Sequence, residues 1–215
     1  NTFVVEDSYG NSDTCSFTVT RFDFPSPATS GVDQSFCGGN STSMNGNTPA
    51  VGTGFWSVIS GSATIVDSTV TNTTVNNFIN GITELEWRIE NGVCPAERDT
   101  VSIENFVEPS QAQIVADVSL CDTLEAEIAA VAPTVGIGTW LNPNNDSDIE
   151  DTLANVTVVS NLFIDSYTYI WRVSNGVCPS TFDTLQLVNH ALPVITTPEV
   201  EYIFAPSAVA LIATS

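Results

Sequence analysis

Apolar and polar residues alternate with a period of two along much of the chain, the signature of strands that are buried on one face. Leu85, Trp87 and Ile89 alternate with Glu84, Glu86, Arg88 and Glu90, and further on Tyr169, Trp171 and Val173 do the same. Each run is followed by Asn-Gly and then by a second apolar alternation, Val101 and Ile103 or Leu185 and Leu187. Because Asn and Gly both tolerate positive φ, Asn91-Gly92 predicts a two-residue type I′ hairpin turn. Shorter strand signals precede it at Gly54–Val58, Ala63–Val66 and Thr73–Val75. About seven short strands with turns throughout predict an all-β fold, an antiparallel sandwich. One stretch conflicts with this, since Asp122–Ala130 is rich in helix formers. Its counterpart Gly38–Gly46 could hardly form a helix, so both are read as strands, with Leu124, Ala126 and Ile128 inward.

The counterpart exists because the chain repeats. Trp87–Pro95 reads WRIENGVCP and Trp171–Pro179 reads WRVSNGVCP, identical at seven of nine positions and offset by 84 residues. Residues 25–108 align without a gap to 109–192, matching Asp33 to Asp117, Cys37 to Cys121, Trp56 to Trp140 and Cys94 to Cys178. A period this long exceeds that of solenoids, whose units cannot fold alone. The expected organisation is therefore the last strands of a preceding domain (1–24), two complete repeats (25–108 and 109–192), and the first strands of another (193–215). In that last copy Glu201 takes the Asp33 position and Ala205 the Cys37 position. No signal peptide, transmembrane run or sorting tail is present, and both ends read as cuts through a longer protein.

Cysteine and charge narrow the setting. The intervals from Cys37 to Cys94 and from Cys121 to Cys178 are both 57 residues, which predicts one disulfide per repeat and an oxidising, extracellular location. Closing such a loop stabilises a small domain by about 4 kcal/mol in the chain-entropy model. A zinc site fits badly, because there is no CxxC pair and His190 is the only histidine. The formal charge of −21, with four arginines and no lysine, repels nucleic acid and anionic membranes. Neither is an expected partner, and direct membrane insertion is not expected.

Three motif groups carry a resemblance. Asp33-Gln34-x-x-Cys37-Gly38, Pro49-x-x-Gly52-Thr53-Gly54-x-Trp56-Ser57-Val58-x-Ser60-Gly61 and Trp87-x-Ile89-x-Asn91-Gly92-x-Cys94-Pro95 resemble the PKD-like, immunoglobulin-like tandem repeats of giant Bacteroidota surface adhesins, including those of gliding motility exported by type IX secretion. The second copy departs at Asn142–Asn145, where the Ser-Gly turn is lost. At the start of the chain, Val5-x-Asp7-x-x-Gly10-Asn11-x-x-x-Cys15-x-Phe17-x-Val19 resembles the closing strands of a hyalin-type repeat. That resemblance implies an upstream partner for Cys15, with a free thiol as the alternative. Together these imply immunoglobulin-like sandwiches in a stalk on a bacterial cell surface, whose partners are neighbouring repeats, surface glycans or other surface proteins.

No catalytic constellation appears, and an enzyme is not expected. His190 has no partner motif. Asp146, Asp148, Glu150 and Asp151 form a run of hard oxygen donors that suits calcium by type, but they lack the spacing of a dedicated loop, and no cofactor is expected. Asp33, Asp117 and Glu201 recur where domains begin and are cation candidates, or partners of Arg88 and Arg172. Trp56, Trp87, Trp140 and Trp171 read as core. Finally, Asp-Ser/Thr-x triplets place Ser68, Thr100, Thr123, Thr152 and Thr184 in what looks like the O-glycosylation acceptor motif of Bacteroidota, or in ordinary strand edges. The functional expectation is a structural stalk segment of an adhesin. The alternatives are a carbohydrate- or cell-binding module, with sites on loops such as 141–151, or an accessory region of a secreted hydrolase.

Overall fold

The structure is a computed structural model that describes residues 2–194; Glu201, Ala205 and most of the predicted third copy lie outside the described residues. The chain divides into two compact units, Asn1–Phe106 and Val107–Ser215.

In the first unit the strands are β1 (Thr2–Glu6), β2 (Ser12–Ser16), β3 (Gln34–Cys37), β4 (Ser41–Ser43), β5 (Thr53–Ser60), β6 (Thr64–Ile65), β7 (Thr74–Asn76), β8 (Gly81–Glu90) and β9 (Glu97–Phe106). They make a four-stranded sheet, β3-β9-β8-β5, and a three-stranded sheet, β4-β7-β6, with β1 and β2 as a separate hairpin. The second unit repeats the two larger sheets with β10 (Val118–Cys121), β11 (Glu125–Ala129), β12 (Ile137–Leu141), β13 (Asp148–Ile149), β14 (Val156–Ser160), β15 (Ser166–Ser174) and β16 (Thr181–His190). Their orders are β10-β16-β15-β12 and β11-β14-β13.

The alternation read from the sequence places the core between each pair of sheets. Leu85, Trp87, Ile89, Val101 and Ile103 meet Met44, Val75 and Phe78 in the first unit. Tyr169, Trp171, Val173, Leu185 and Leu187 meet Ile128, Val159 and Leu162 in the second. Trp56 lies against Trp87 and Trp140 against Trp171, each pair with ring centroids 5.0 Å apart. Glycine makes room for this stack: a Cβ on Gly54 would come within 2.2 Å of the Trp87 ring, and one on Gly138 within 2.0 Å of Trp171.

Several local expectations differ from the structure. The sheets are not wholly antiparallel, since β3 runs parallel to β9 and β10 parallel to β16. Parallel neighbours need a long crossover, and here the rest of the repeat supplies it. In the 122–130 stretch Ile128 is buried and Ala126 half-buried, but Leu124 is 69% exposed, because β11 starts only at Glu125. In the first repeat the 87–95 motif does not form a two-residue turn. Residues 91–96 loop out between β8 and β9, with the Cys94 N–H donating to the Asn91 carbonyl at 3.2 Å. Gly92 takes φ +59 there but Asn91 does not adopt positive φ, and Pro95, lacking an N–H, cannot extend the ladder.

The lost Ser-Gly turn has a substitute. Gly61 has φ +79 in the first repeat, and its aligned residue Asn145 has φ +52 in the second. Asn is among the few residues other than Gly that tolerate the left-handed region.

Candidate functional site

The duplicated nine-residue motif is the feature most open to a functional reading, and its asparagine and cysteine face the segment that leads into the repeat. In the first unit Asn91 Nδ2 donates to the Asp23 carbonyl at 2.8 Å, and the Cys94 thiol lies 3.4 Å from the same oxygen. Gly92 leaves the space taken by Phe22, since a Cβ would come within 2.3 Å of that ring. In the second unit Asn175 Nδ2 donates to the Val107 carbonyl at 2.8 Å, and Cys178 Sγ lies 3.3 Å from it. The loop is thus a clasp on the incoming chain, built twice with the same atoms.

Cys37 and Cys121 occupy a second recurring seat. Each ends the strand that runs parallel to the last strand of its repeat, Cys37 in register with Phe106 and Cys121 with His190. The next residue turns away at positive φ, Gly38 at +58 and Asp122 at +49. Its N–H donates to the carbonyl of that last strand, at 2.8 Å to Phe106 and 2.9 Å to His190.

The pairing expected from spacing does not form. Cys94, Cys121 and Cys15 are free thiols, so one disulfide per repeat is incorrect: Cys37–Cys94 and Cys121–Cys178 are not made. The reason lies in the two seats. Cys37 stands beside Phe106, the last residue of β9, whereas Cys94 lies in the loop before β9 begins at Glu97. Cys121 and Cys178 are separated in the same way along β16. Equal spacing follows from the repeat and carries no information on which end of the sheet each cysteine occupies.

The other sequence-selected residues are taken up by the fold. Asp33 Oδ1 accepts from the Ser102 N–H and Asp117 Oδ1 from the Gln186 N–H, both at 2.9 Å. Each thus tethers the chain before β3 or β10 to the last strand, and neither is paired with an arginine. Arg88 instead pairs with Glu90 and lies over the Phe55 ring, and Arg98 pairs with Glu86. Among the described residues no three His, Cys, Asp or Glu side chains converge to hold a metal. Asp148 accepts from Asn161 Nδ2, and Asp151 Oδ1 accepts from the Leu153 N–H, so the acidic run is spread along strand and turn. His190 is exposed at the end of β16.

The aspartates of the Asp-Ser/Thr triplets explain why those triplets recur. Asp67 Oδ1 accepts from the N–H and hydroxyl of Thr69, which holds its pKa below the ordinary value. Asp99 Oδ2 accepts from the Ser30 N–H and hydroxyl, and Asp183 Oδ2 from the Ile114 N–H. Ser68, Thr100, Thr152 and Thr184 are exposed. Thr123 is the exception, because its hydroxyl is buried without a partner, so it is no acceptor for a glycan.

The 141–149 loop carries chemistry specific to the second repeat. An open groove of about 500 Å³ is lined by Trp140, Asn142, Pro143, Asn145, Ser147 and Asp148 among others. The Ser147 hydroxyl meets the Tyr169 hydroxyl at 2.7 Å, and burial raises the Tyr169 pKa. The aligned residue in the first repeat is Leu85, so this contact has no equivalent there.

No protein-family model matches the chain, and no curated protein matches it. Solved structures do. The four-domain immunoglobulin fragment of Sidekick-1 superposes with a TM-score of 0.53 at 13% identity, over 86% of this chain and 56% of that one. The fold is immunoglobulin-like. Murine CEACAM1b also matches, with a TM-score of 0.53 at 10% identity over 75% of this chain and 99% of its own. The immunoglobulin-like chain thus spans little more than half of the Sidekick-1 fragment, and at these identities the likeness concerns the fold alone. No helix among the described residues is long and apolar enough to cross a membrane.

Proposed function

We propose that the chain is a non-enzymatic, structural segment of a large extracellular adhesin on a bacterial surface, in which PKD-like, immunoglobulin-like repeats act as a stalk. The supporting observation is the duplication of one immunoglobulin-like sandwich, with the same tryptophan pair and the same asparagine clasp in both units. A stalk is built from such self-contained repeats, each with its own core. The exposed hydroxyls of Ser68, Thr100, Thr152 and Thr184 are the candidate glycan acceptors in this reading.

Single-molecule stretching tests it. The chain should release two separate stretches of similar length, one for each sandwich, at roughly 3.3–3.6 Å per residue. A single release of the whole chain would contradict repeats that fold on their own cores. A carbohydrate- or cell-binding role is the second reading, favoured by the groove around Asn142, Asn145 and Asp148. Glycan-array binding lost on Asn142→Ala and Asn145→Ala would establish it in place of a passive stalk.

A further inference from the structure

We infer that the outer face of the second repeat's four-stranded sheet is a docking surface for a protein partner of net positive charge. The partner presents one carboxylate within an apolar patch, and Arg172 receives it. The inference goes beyond the stalk reading and concerns the second unit alone.

Along β12, β15 and β16 the residues that alternate with the buried ones point out of the sandwich. None of these outward residues is an Asp or Glu, in a chain that carries 25 of them. The same face of the first repeat holds Glu84, Glu86, Glu90 and Glu104, and the residues aligned with them are Thr168, Ile170, Ser174 and Val188. Thr53, Ser57 and Arg98 are likewise matched by Ile137, Leu141 and Phe182. Phe55, Ile82 and Phe106 are exchanged the other way, for Thr139, Ser166 and His190. The net result is a face without carboxylates whose apolar residues gather round one cation.

Strand register fixes that gathering. Arg172 stands opposite Thr139 on one side and Phe182 on the other, with Leu141 opposite Ile170 and Ile137 opposite Ser174. Ile137, Leu141, Ile170 and Phe182 are thus its immediate or diagonal neighbours, and diagonal neighbours on a sheet face lie about 7–8 Å apart. Ile137 and Phe182 are both exposed. In the first repeat Arg88 is engaged by Glu90 and lies over the Phe55 ring. Arg172 has neither contact, because Ser174 and Thr139 stand at those positions. Its Nε is buried without a partner, as is that of Arg88, but no carboxylate among the described residues pairs with its guanidinium.

Charge complementarity selects the occupant. A guanidinium forks onto a carboxylate, and removal of that pair from water by surrounding apolar groups strengthens it. An arginine and an aromatic ring at the centre of a patch poor in charge make the pattern of a protein interface core. A second copy of this chain would bring a further formal charge of −21 and be repelled at long range, whereas a partner of net positive charge is drawn in. An open sheet of branched aliphatic side chains offers a sugar few hydrogen-bonding groups.

The probe is the peptide acetyl-Lys-Leu-Glu-Phe-Lys-amide, compared with its glutamine counterpart through the amide chemical shifts of the full isotope-labelled chain. The glutamate peptide should shift the Ile170, Arg172 and Phe182 amides to saturation. The glutamine peptide should bind at least about tenfold more weakly, the loss expected for one charge-assisted pair. Arg172→Met keeps the aliphatic stem and should erase the difference between the peptides while the remaining amide signals stay in place. Ile170→Glu restores the residue of the first repeat and should weaken the glutamate peptide at least as much. Equal binding of the two peptides, or equal shifts on the outer sheet face of the first repeat, would overturn the inference. So would concentration-dependent shifts of these amides in the chain alone, which would mark a second copy as the occupant. Saturable shifts from glucuronate in place of the peptide would assign the face to a glycan and overturn it as well.

Discussion

In the first repeat the indole N–H of Trp87 donates to Asn47 Oδ1 at 3.1 Å. In the second the matching Trp171 is equally buried, but its N–H has no partner among the described residues. The difference traces to one position, because the residue aligned with Asn47 is Val131. Asn47 also accepts from the Thr29 N–H and donates to the Pro27 carbonyl, so one side chain ties the incoming segment to the core. The second repeat holds that segment by another route: Thr181 Oγ1 accepts from the Ala112 N–H and donates to the Ser110 carbonyl. The tryptophan stack, the two cysteine seats, the Asn91/Asn175 clasp and the Asp33/Asp117 tether are kept between the repeats; the Asn47 anchor is exchanged for another side chain that holds the same segment.

The largest effect should come from what the repeats share. Gly54→Ala and Gly138→Ala each drive a methyl into a tryptophan ring, and overpacking of this kind costs about 1–3 kcal/mol. The two losses should be alike when hydrogen exchange reads each repeat separately; a loss confined to one repeat would break the equivalence of the cores. Next comes what they do not share. Asn47→Val imitates the second repeat but leaves the Trp87 N–H, the Thr29 N–H and the Pro27 carbonyl without this partner. The expected loss in the first repeat is about 1–3 kcal/mol, with the second unchanged. No loss would mean that the orphaned indole at Trp171 carries no penalty either.

The smallest effect is one of pH. Hydrogen bonds from the Ser30 N–H and hydroxyl hold the Asp99 pKa below its ordinary value of 3.8. A lowered carboxylate pKa contributes stability above the unfolded value, and that stability is lost as pH falls through the folded one. Asp99 should therefore weaken the first repeat only below about pH 4. Asp99→Asn should flatten that acid limb, and an unchanged profile in urea titrations would remove Asp99 from the account.

Much of the fold was legible because period-two alternation and the tandem repeat act on the same residues. Leu85, Trp87 and Ile89 could face only one way, and the counterpart Gly38–Gly46 removed the ambiguity of the 122–130 stretch. Leu124 was misplaced because a repeat alignment fixes which segments are strands without fixing where each begins. The clasp was misread for a related reason. Asn-Gly is a strong turn signal, but the Asn91 side chain is engaged on the Asp23 carbonyl, a contact 68 residues distant that no local rule contains. The state of the cysteines lay furthest out of reach. Spacing reports a period and nothing of where on the sheet each cysteine stands. Only the strand register shows Cys37 and Cys94 at opposite ends of β9.

The most direct test is peptide mapping of the unmodified 215-residue chain after alkylation under non-reducing conditions. The account predicts alkyl groups on Cys15, Cys94 and Cys121. Linked peptides joining Cys37 to Cys94 and Cys121 to Cys178, with Cys15 alone alkylated, would contradict it.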